Sequence, residues 1–249
     1  MNYDLLAELY DLQHAHYRDD LSFYTRLADD YGGPVLELGA GSARVSTALA
    51  KAGHAVTAVE LSGKMMQRGQ ARLQEVGLQE RVTYRQGDMR EVRLGQRFPL
   101  VIAPFNTLMH AYTLADQDAT LRTVREHLEP GGRFAFDLYN PNFRENFGAF
   151  GVLRLEPEWS SVGGENGDLF LVQHHDPDAQ LITSHYYLEQ TDERGVLKRQ
   201  KSTLIQRYFT RFELERMLYQ AGFTHVQLYG DFDRDRYSAA APHLIGLAH

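Results

Sequence analysis

Apolar positions along the chain follow two periodicities. Leu5, Leu6, Leu9, Tyr10 and Leu12, then Leu21, Phe23, Tyr24 and Leu27, recur at helical spacing and predict one or two helices over residues 1–31. Tyr31-Gly32-Gly33-Pro34 interrupts the pattern, and Val35 to Leu38 is a short apolar run that enters a glycine-rich turn. Helix formers fill residues 43–52 up to Gly53, and Ala55 to Val59 is a second apolar run, which completes a β-α-β unit. The alternation continues with a helix over Lys64 to Val76, strands over Arg81 to Arg85 and Leu100 to Ala103, and a helix over Asp116 to Leu128. The turn Glu129-Pro130-Gly131-Gly132 and a strand over Arg133 to Leu138 follow. Strands alternating with helices predict an α/β fold with a mainly parallel, doubly wound sheet, in which ligands bind outside the carboxyl ends of the strands.

From about Val152 to Phe209 the period changes to two, with runs at Leu169 to Val172, Leu181 to Leu188 and Lys198 to Phe209. Turn signals at Gly163-Gly164, Asp176-Pro177-Asp178 and Asp192 to Gly195 separate them, which predicts an antiparallel meander inserted in the main fold rather than a second independent domain. Thr210 then has the character of an N-cap for a helix through Ala221, and strands near His225 to Tyr229 and His243 to Ala248 return the chain to the main sheet as a hairpin.

Composition narrows the chemistry. The 249 residues suffice for one large α/β domain, and with no cysteine among them disulfides, thiolate nucleophiles and Cys-ligated metals are excluded. Thirty-three acidic against 26 basic groups leave a formal charge of −7, which offers no overall field for nucleic acid or anionic lipid. The first residues carry Asp4, Glu8, Asp11, Asp19 and Asp20 and do not read as a signal peptide, and no window approaches ~18 consecutive apolar residues, so a cytoplasmic chain without membrane contact is expected. No metal site is expected: His174 and His175 are successive residues on a strand and point to opposite faces.

Three short motifs carry chemistry. Glu37-Leu38-Gly39-Ala40-Gly41-Ser42-Ala43-Arg44 joins the first strand to a helix; the missing Cβ atoms at Gly39 and Gly41 allow a sharp bend and close approach of a ligand, although glycine also makes ordinary tight turns. A dinucleotide fingerprint would place a small residue where Arg44 stands, which argues against a nicotinamide cofactor. Glu60 ends the second strand and can accept from both hydroxyls of a ribose, or cap the helix that begins at Glu60-Leu61-Ser62. Gly87-Asp88-Met89-Arg90 ends the third strand, where the Asp88 carboxylate and the Met89 N–H can read an adenine edge, or form a polar turn.

Taken together, the run Val35 to Ala43, Glu60, Gly87-Asp88-Met89, the strand to Phe105 with Asn106, and Leu128 to Gly132 resembles the class I S-adenosylmethionine-dependent methyltransferases. The Tyr3-Asp4 and Tyr10-Asp11 pairs, Gly87 to Arg90 and Tyr229-Gly230-Asp231-Phe232 are similar to the small-molecule branch that includes amino-sugar N,N-dimethyltransferases. The resemblance implies a Rossmann-like, mixed seven-stranded sheet with the antiparallel β meander inserted, and S-adenosyl-L-methionine as cofactor. It places Glu37 and the Gly39, Ala40 and Gly41 backbone near the methionyl part, Glu60 at the ribose, Asp88 and Met89 at the adenine with Leu61 and Met65 beside them, and Phe105-Asn106 beneath the sulfonium. Tyr10 and Tyr17 are candidates for a tyrosine lid. Ala43 stands where the family commonly has a third glycine, a difference of one methyl group that should leave binding intact.

The implied layout is a helical lid over 1–31, a cofactor-binding core over 32–150, the β insertion over 151–209 for substrate or dimer contacts, and 210–249 completing the core sheet. The implied reaction moves a methyl group to nitrogen or oxygen of a small-molecule acceptor by in-line displacement, with a homodimer as a further expectation and nucleic acid not a partner. An amine acceptor needs only to be unprotonated; a hydroxyl needs a base, for which His110, just after Asn106, has a suitable ordinary pKa, though it equally suits a surface position. The competing readings are a nicotinamide-dependent oxidoreductase and a non-catalytic adenosyl-binding protein.

Overall fold

The structure, a computed structural model, describes residues 10, 11, 14, 17–140, 150–156 and 167–249. They divide into two compact units. The described residues from Arg18 to Asn140 and from Phe209 to His249 make one; those up to Tyr17 and between 150 and Tyr208 make the other.

The first unit is built on a seven-stranded sheet. In chain order its strands are β1 (Val35–Leu38), β2 (Val56–Glu60), β3 (Val82–Gln86), β4 (Phe98–Ala103) and β5 (Leu128–Tyr139), with β10 (Val226–Tyr229) and β11 (His243–Ala248) near the end of the chain. The order across the sheet is β10-β11-β5-β4-β1-β2-β3. Pairs among β1 to β5 are parallel, and β11 runs antiparallel to both β5 and β10. All four residues of β1 are buried, as expected for a central parallel strand covered on both faces. Because the chain leaves β3 at one edge and re-enters on the far side of β1 as β4, the carboxyl ends of β1 and β4 flank the point where the winding reverses.

The helices are α1 (Leu21–Tyr31), α2 (Arg44–Lys51), α3 (Gly63–Glu75), α4 (Leu114–His127) and α5 (Arg211–Gln220), with a 3₁₀ turn at Thr107–His110. Local chemistry explains their ends. Ser62 accepts from the Met65 N–H at 3.2 Å to start α3, and Thr113 and Asp116 form a reciprocal capping box that starts α4. The Thr210 N–H donates to Glu213 at 3.3 Å at the head of α5, where the sequence places a cap.

One expectation changes: the turn at Glu129 to Gly132 falls within the span of β5, and the β4–β5 register slips between Phe98 and Leu100. Residues 21–31 form α1, whose Phe23, Tyr24, Leu27 and Ala28 are buried and which groups with the sheet unit.

The second unit carries the meander, β6 (Arg154–Leu155), β7 (Gly167–Asp176), β8 (Leu181–Thr191) and β9 (Leu197–Arg207), antiparallel in that order. The short β6 was not legible as a run. The contact division falls at 140/141 and 208/209, where the sequence suggested 150/151 and 209/210, and the inserted stretch is a compact unit of its own. His174 meets the His185 ring at 5.5 Å while His175 stacks on Phe150 and bonds Tyr208, so the two successive histidines do face apart. Tyr208 thus has a packing partner inside this unit. Among the described residues no helix is long and apolar enough to cross a membrane.

Candidate active site

Parallel pairing brings the motifs to one edge of the sheet. Leu38 aligns with Val59 and Glu60 with Gln86, while Glu37 aligns with Ile102 on the other side. Read across β4, β1, β2 and β3, the carboxyl ends therefore present Phe105-Asn106, the glycine loop, Glu60 and Asp88 in that order.

The glycine loop is shaped by contacts from three directions. Gly39 and Gly41 have φ of 66° and 56°, in the left-handed region. A Cβ on Gly39 would stand 2.6 Å from Thr107 Cγ2, so the close approach of the loop to the segment after β4 requires glycine there. The Gly41 N–H donates to Glu60 Oε2 at 2.8 Å, and the Gly41 carbonyl accepts from the Tyr84 hydroxyl at 3.0 Å. Tyr84 reaches that carbonyl only because Gly69 of α3 has no side chain: a Cβ there would lie 2.0 Å from the Tyr84 oxygen. Ala43 holds φ 64° as the N-cap of α2, so the absent third glycine has a backbone consequence: an alanine in a left-handed conformation, costing about 1 kcal/mol.

Glu60 is 7% exposed and has both carboxylate oxygens aimed, Oε2 by the Gly41 N–H and Oε1 by the Ser62 N–H at 2.7 Å. The ribose and helix-start readings thus coexist on one carboxylate, since its two oxygens together can accept more than one hydrogen bond each. Leu61 beyond it is 58% exposed, an apolar side chain suited to an aromatic ring face. Met65 is different. It is 2% exposed and lies against Gly41, 3.6 Å from where a Cβ would stand, so it supports the loop.

Asp88 carries more than a free carboxylate. Arg90 donates to it from its backbone N–H at 2.9 Å and from its side chain at 2.6 to 3.1 Å, and reaches on to Asp116 at 2.7 Å. These bonds hold Asp88 below its ordinary pKa and keep it ionised. Met89 beside it is half-buried. An amine reading by Asp88 must therefore share the carboxylate with Arg90.

Beneath the glycine loop lies a buried polar cluster that sequence spacing did not disclose. Asp20, just before α1, is fully buried and grips Arg44 through two bonds of 2.6 Å, and the Arg44 guanidinium lies 5.0 Å from the Phe105 ring centroid. Glu37 accepts from the Ser46 hydroxyl in a very short bond. Asp137 Oδ1 accepts from Tyr24 Oη at 2.5 Å and from the Phe105 N–H at 2.8 Å. Burial pushes Glu37 up to about 8 against the pull of Ser46 and Arg44. Burial, then the Asp20 charge, pushes Asp137 up to about 7. Three buried carboxylates around one guanidinium suit a cationic ligand nearby. At 2% exposure and largely protonated at pH 7, Glu37 would respond to such a ligand by ionising beside it, not by direct contact.

Phe105 and Asn106 both have left-handed backbone, φ 54° and 66°. His110 ends the 3₁₀ turn that follows, its Nδ1 3.3 Å from the Tyr112 hydroxyl. Tyr10 and Tyr17 belong to the other unit, where Tyr10 meets the His14 ring edge-on at 4.7 Å. Tyr84, Asp20, Tyr24 and Asp137 are the participants that sequence reasoning missed. Arg44 was noticed for its bulk alone. Only a buried partner far along the chain gives these residues their roles, and no local spacing signals that.

The donor set along this edge fits a cofactor with a ribose, an adenine and a cationic amino-acid end. Comparisons agree. Residues 35–132 match the family model described as a methyltransferase domain. The dTDP-3-amino-3,6-dideoxy-alpha-D-glucopyranose N,N-dimethyltransferase of Streptomyces fradiae is 27% identical over 88% of this chain and 84% of its own length. Among solved structures, the CcbJ methyltransferase of Streptomyces caelestis superposes with a TM-score of 0.84 at 28% identity, covering 98% of this chain and 95% of that one. DesVI of Streptomyces venezuelae shares the fold at a TM-score of 0.73 and 21% identity, with 97% of each chain covered.

Proposed function

We infer that this chain, an S-adenosylmethionine-dependent methyltransferase with the class I fold, methylates the amine nitrogen of an amino sugar. The observation that carries this reading is the order of groups along the sheet edge, Phe105-Asn106, glycine loop, Glu60 and Asp88, taken with a relative of nearly full length named as an amino-sugar N,N-dimethyltransferase. The charge of −7 favours a small acceptor over a polyanion.

When bound, S-adenosylmethionine supplies a methyl group on a positively charged sulfur, and its in-line displacement by an amine lone pair depends on alignment more than on a base. The chain's residues provide that alignment. Gly39 and Gly41, with the Ala40 backbone between them, let a ligand approach the main chain closely, and Glu60 accepts from ribose hydroxyls. Leu61 and Met89 would pack against the adenine, and Asp88, kept charged by Arg90, would accept from its amine. Phe105-Asn106 would line the site on the methyl-bearing side, and the carboxylates of Glu37, Asp20 and Asp137 would favour a positive charge nearby. His110, at the end of the 3₁₀ turn after Asn106, is the candidate base for a hydroxyl acceptor, and an amine would need it little.

The test offers isotopically labelled S-adenosylmethionine with a dTDP-linked 3-amino sugar and with its 3-hydroxy counterpart. Label on the amine alone is the expected result. Label on the hydroxyl sugar alone, or on neither, would overturn the acceptor assignment.

A further inference from the structure

We propose that Asp137 is a positioning residue for methyl transfer: from the end of β5 it sets the Phe105-Asn106 turn on which the reacting groups rest. This deepens the reading above and depends on that turn lying beneath the sulfur.

Two successive non-glycine residues in left-handed conformation cost about 1 kcal/mol or more each, the greater share falling on the bulky Phe105. Such a turn persists only where its surroundings impose it. Asp137 supplies two of the three bonds that do so, and Tyr139 supplies the third. Asp137 Oδ1 accepts from the Phe105 N–H at 2.8 Å, its carbonyl accepts from the Asn106 N–H at 3.0 Å, and two residues on the Tyr139 N–H donates to Asn106 Oδ1. Both inverted residues are thus tied to one short stretch of β5. Tyr24 of α1 donates to the same Oδ1 at 2.5 Å and fixes the carboxylate from the far side.

The consequence is geometric. After the turn, Thr107 lies against Gly39, and its hydroxyl donates to the Pro104 carbonyl at 2.6 Å. A relaxed turn would lift Thr107 away from the glycine loop and separate the two loops that meet where methyl transfer is placed. Asp137 is 2% exposed, so its influence passes through Phe105 and Asn106, to which it is bonded. A residue acting this way should govern alignment, and hence turnover, more than cofactor affinity.

The experiment compares Asp137→Ala, Asp137→Asn and Tyr24→Phe in the full chain. Three quantities are read: S-adenosylhomocysteine affinity by calorimetry, backbone hydrogen exchange at Phe105 and Asn106 with that ligand bound, and kcat on the dTDP-linked 3-amino sugar. Asp137→Ala should speed exchange at both amides and lower kcat about tenfold or more, with Kd changed by less than about threefold. Asp137→Asn keeps an acceptor oxygen in place and should restore both readouts. Tyr24→Phe removes one of the two donors to Oδ1 and leaves the turn bonded, so its exchange should stay near the parent's. If Asp137→Ala does not fold, Asp137→Leu, which fills the space without an acceptor, carries the same expectations. Unchanged exchange in the alanine or leucine variant would overturn the proposal, as would joint loss of affinity and turnover that asparagine does not restore. Should the parent methylate no amino sugar, the acceptor assignment fails, while exchange and its rescue by asparagine still decide the role of Asp137.

Discussion

Glu37 makes the protein's stability depend on pH in a direction opposite to that of a surface carboxylate. Burial raises its pKa from an ordinary 4.5 to about 8, so the folded state binds a proton that the unfolded chain releases. The contribution is fully present below pH 4.5 and is lost as pH rises through about 8. At 1.36 kcal/mol per pKa unit the loss is roughly 3 kcal/mol at pH 7 and approaches about 5 kcal/mol above pH 8. Glu37→Gln removes the titration while keeping an oxygen that accepts from Ser46, at a pH-independent cost of about 1 kcal/mol for placing the amide. Relative to the parent, the variant should therefore be slightly less stable near pH 4.5 and about 2 kcal/mol more stable at pH 7. Asp137, raised to about 7 in the same cluster, is present in both proteins and drops out of the difference to first order. Urea unfolding at pH 5, 6, 7 and 8 measures the gap. A gap that does not change with pH, or one that widens against the variant as pH rises, would refute the assignment of a raised pKa to Glu37.

The same cluster predicts that cofactor binding at pH 7 releases protons, because a cation near Glu37 and Asp137 favours their ionised forms; calorimetry in buffers of different ionisation enthalpy should show net release at pH 7 that fades above pH 9, and its absence at pH 7 would count against the cluster as the cation's counter-charge. Glu60→Ala should weaken S-adenosylhomocysteine binding by about 10- to 100-fold, the equivalent of losing hydrogen bonds to a charged acceptor, and an unchanged calorimetric Kd would remove Glu60 from the ribose site. Gly69→Ala places a Cβ 2.0 Å from the Tyr84 hydroxyl and should destabilise the protein by about 1–3 kcal/mol in denaturant unfolding, despite alanine's better helix propensity; a stability gain would show that Tyr84 yields freely.

Much of the sheet unit was legible because its signals are local. Val35, Leu36 and Leu38 make a short, mostly apolar run that reads as a buried strand without any knowledge of its neighbours, and Gly53 and Gly77 punctuate helices α2 and α3 close to where they end. The Asp88–Arg90 pair spans two residues and lay within reach of local reasoning, whereas Arg90 to Asp116 bridges 26 and did not. The packing of α1 was not legible, since helical spacing alone does not say what a helix packs on. Residues 21–31 have the same amphipathic pattern whether they form a lid or, as α1 does, a wall of the core.

Strand and helix periodicity, the glycine turn and the carboxylates at strand ends were determined by the amino-acid order itself, because backbone geometry repeats every two or 3.6 residues and tests each position against near neighbours. Given parallel strands, those strand ends had to meet along one edge, whereas the placing of β4 beside β1, which sets the order Phe105, Gly39, Glu60 and Asp88, belongs to the tertiary structure. Tertiary structure alone decided how the carboxylates behave. Asp20, Glu37 and Asp137 are ordinary acids in the sequence, and become a buried cluster around Arg44 only when α1, β1, α2 and β5 converge and exclude water. Desolvation and long-range hydrogen bonds depend on what surrounds a group in space, and they turn Glu37 and Asp137 into groups that titrate near neutral pH.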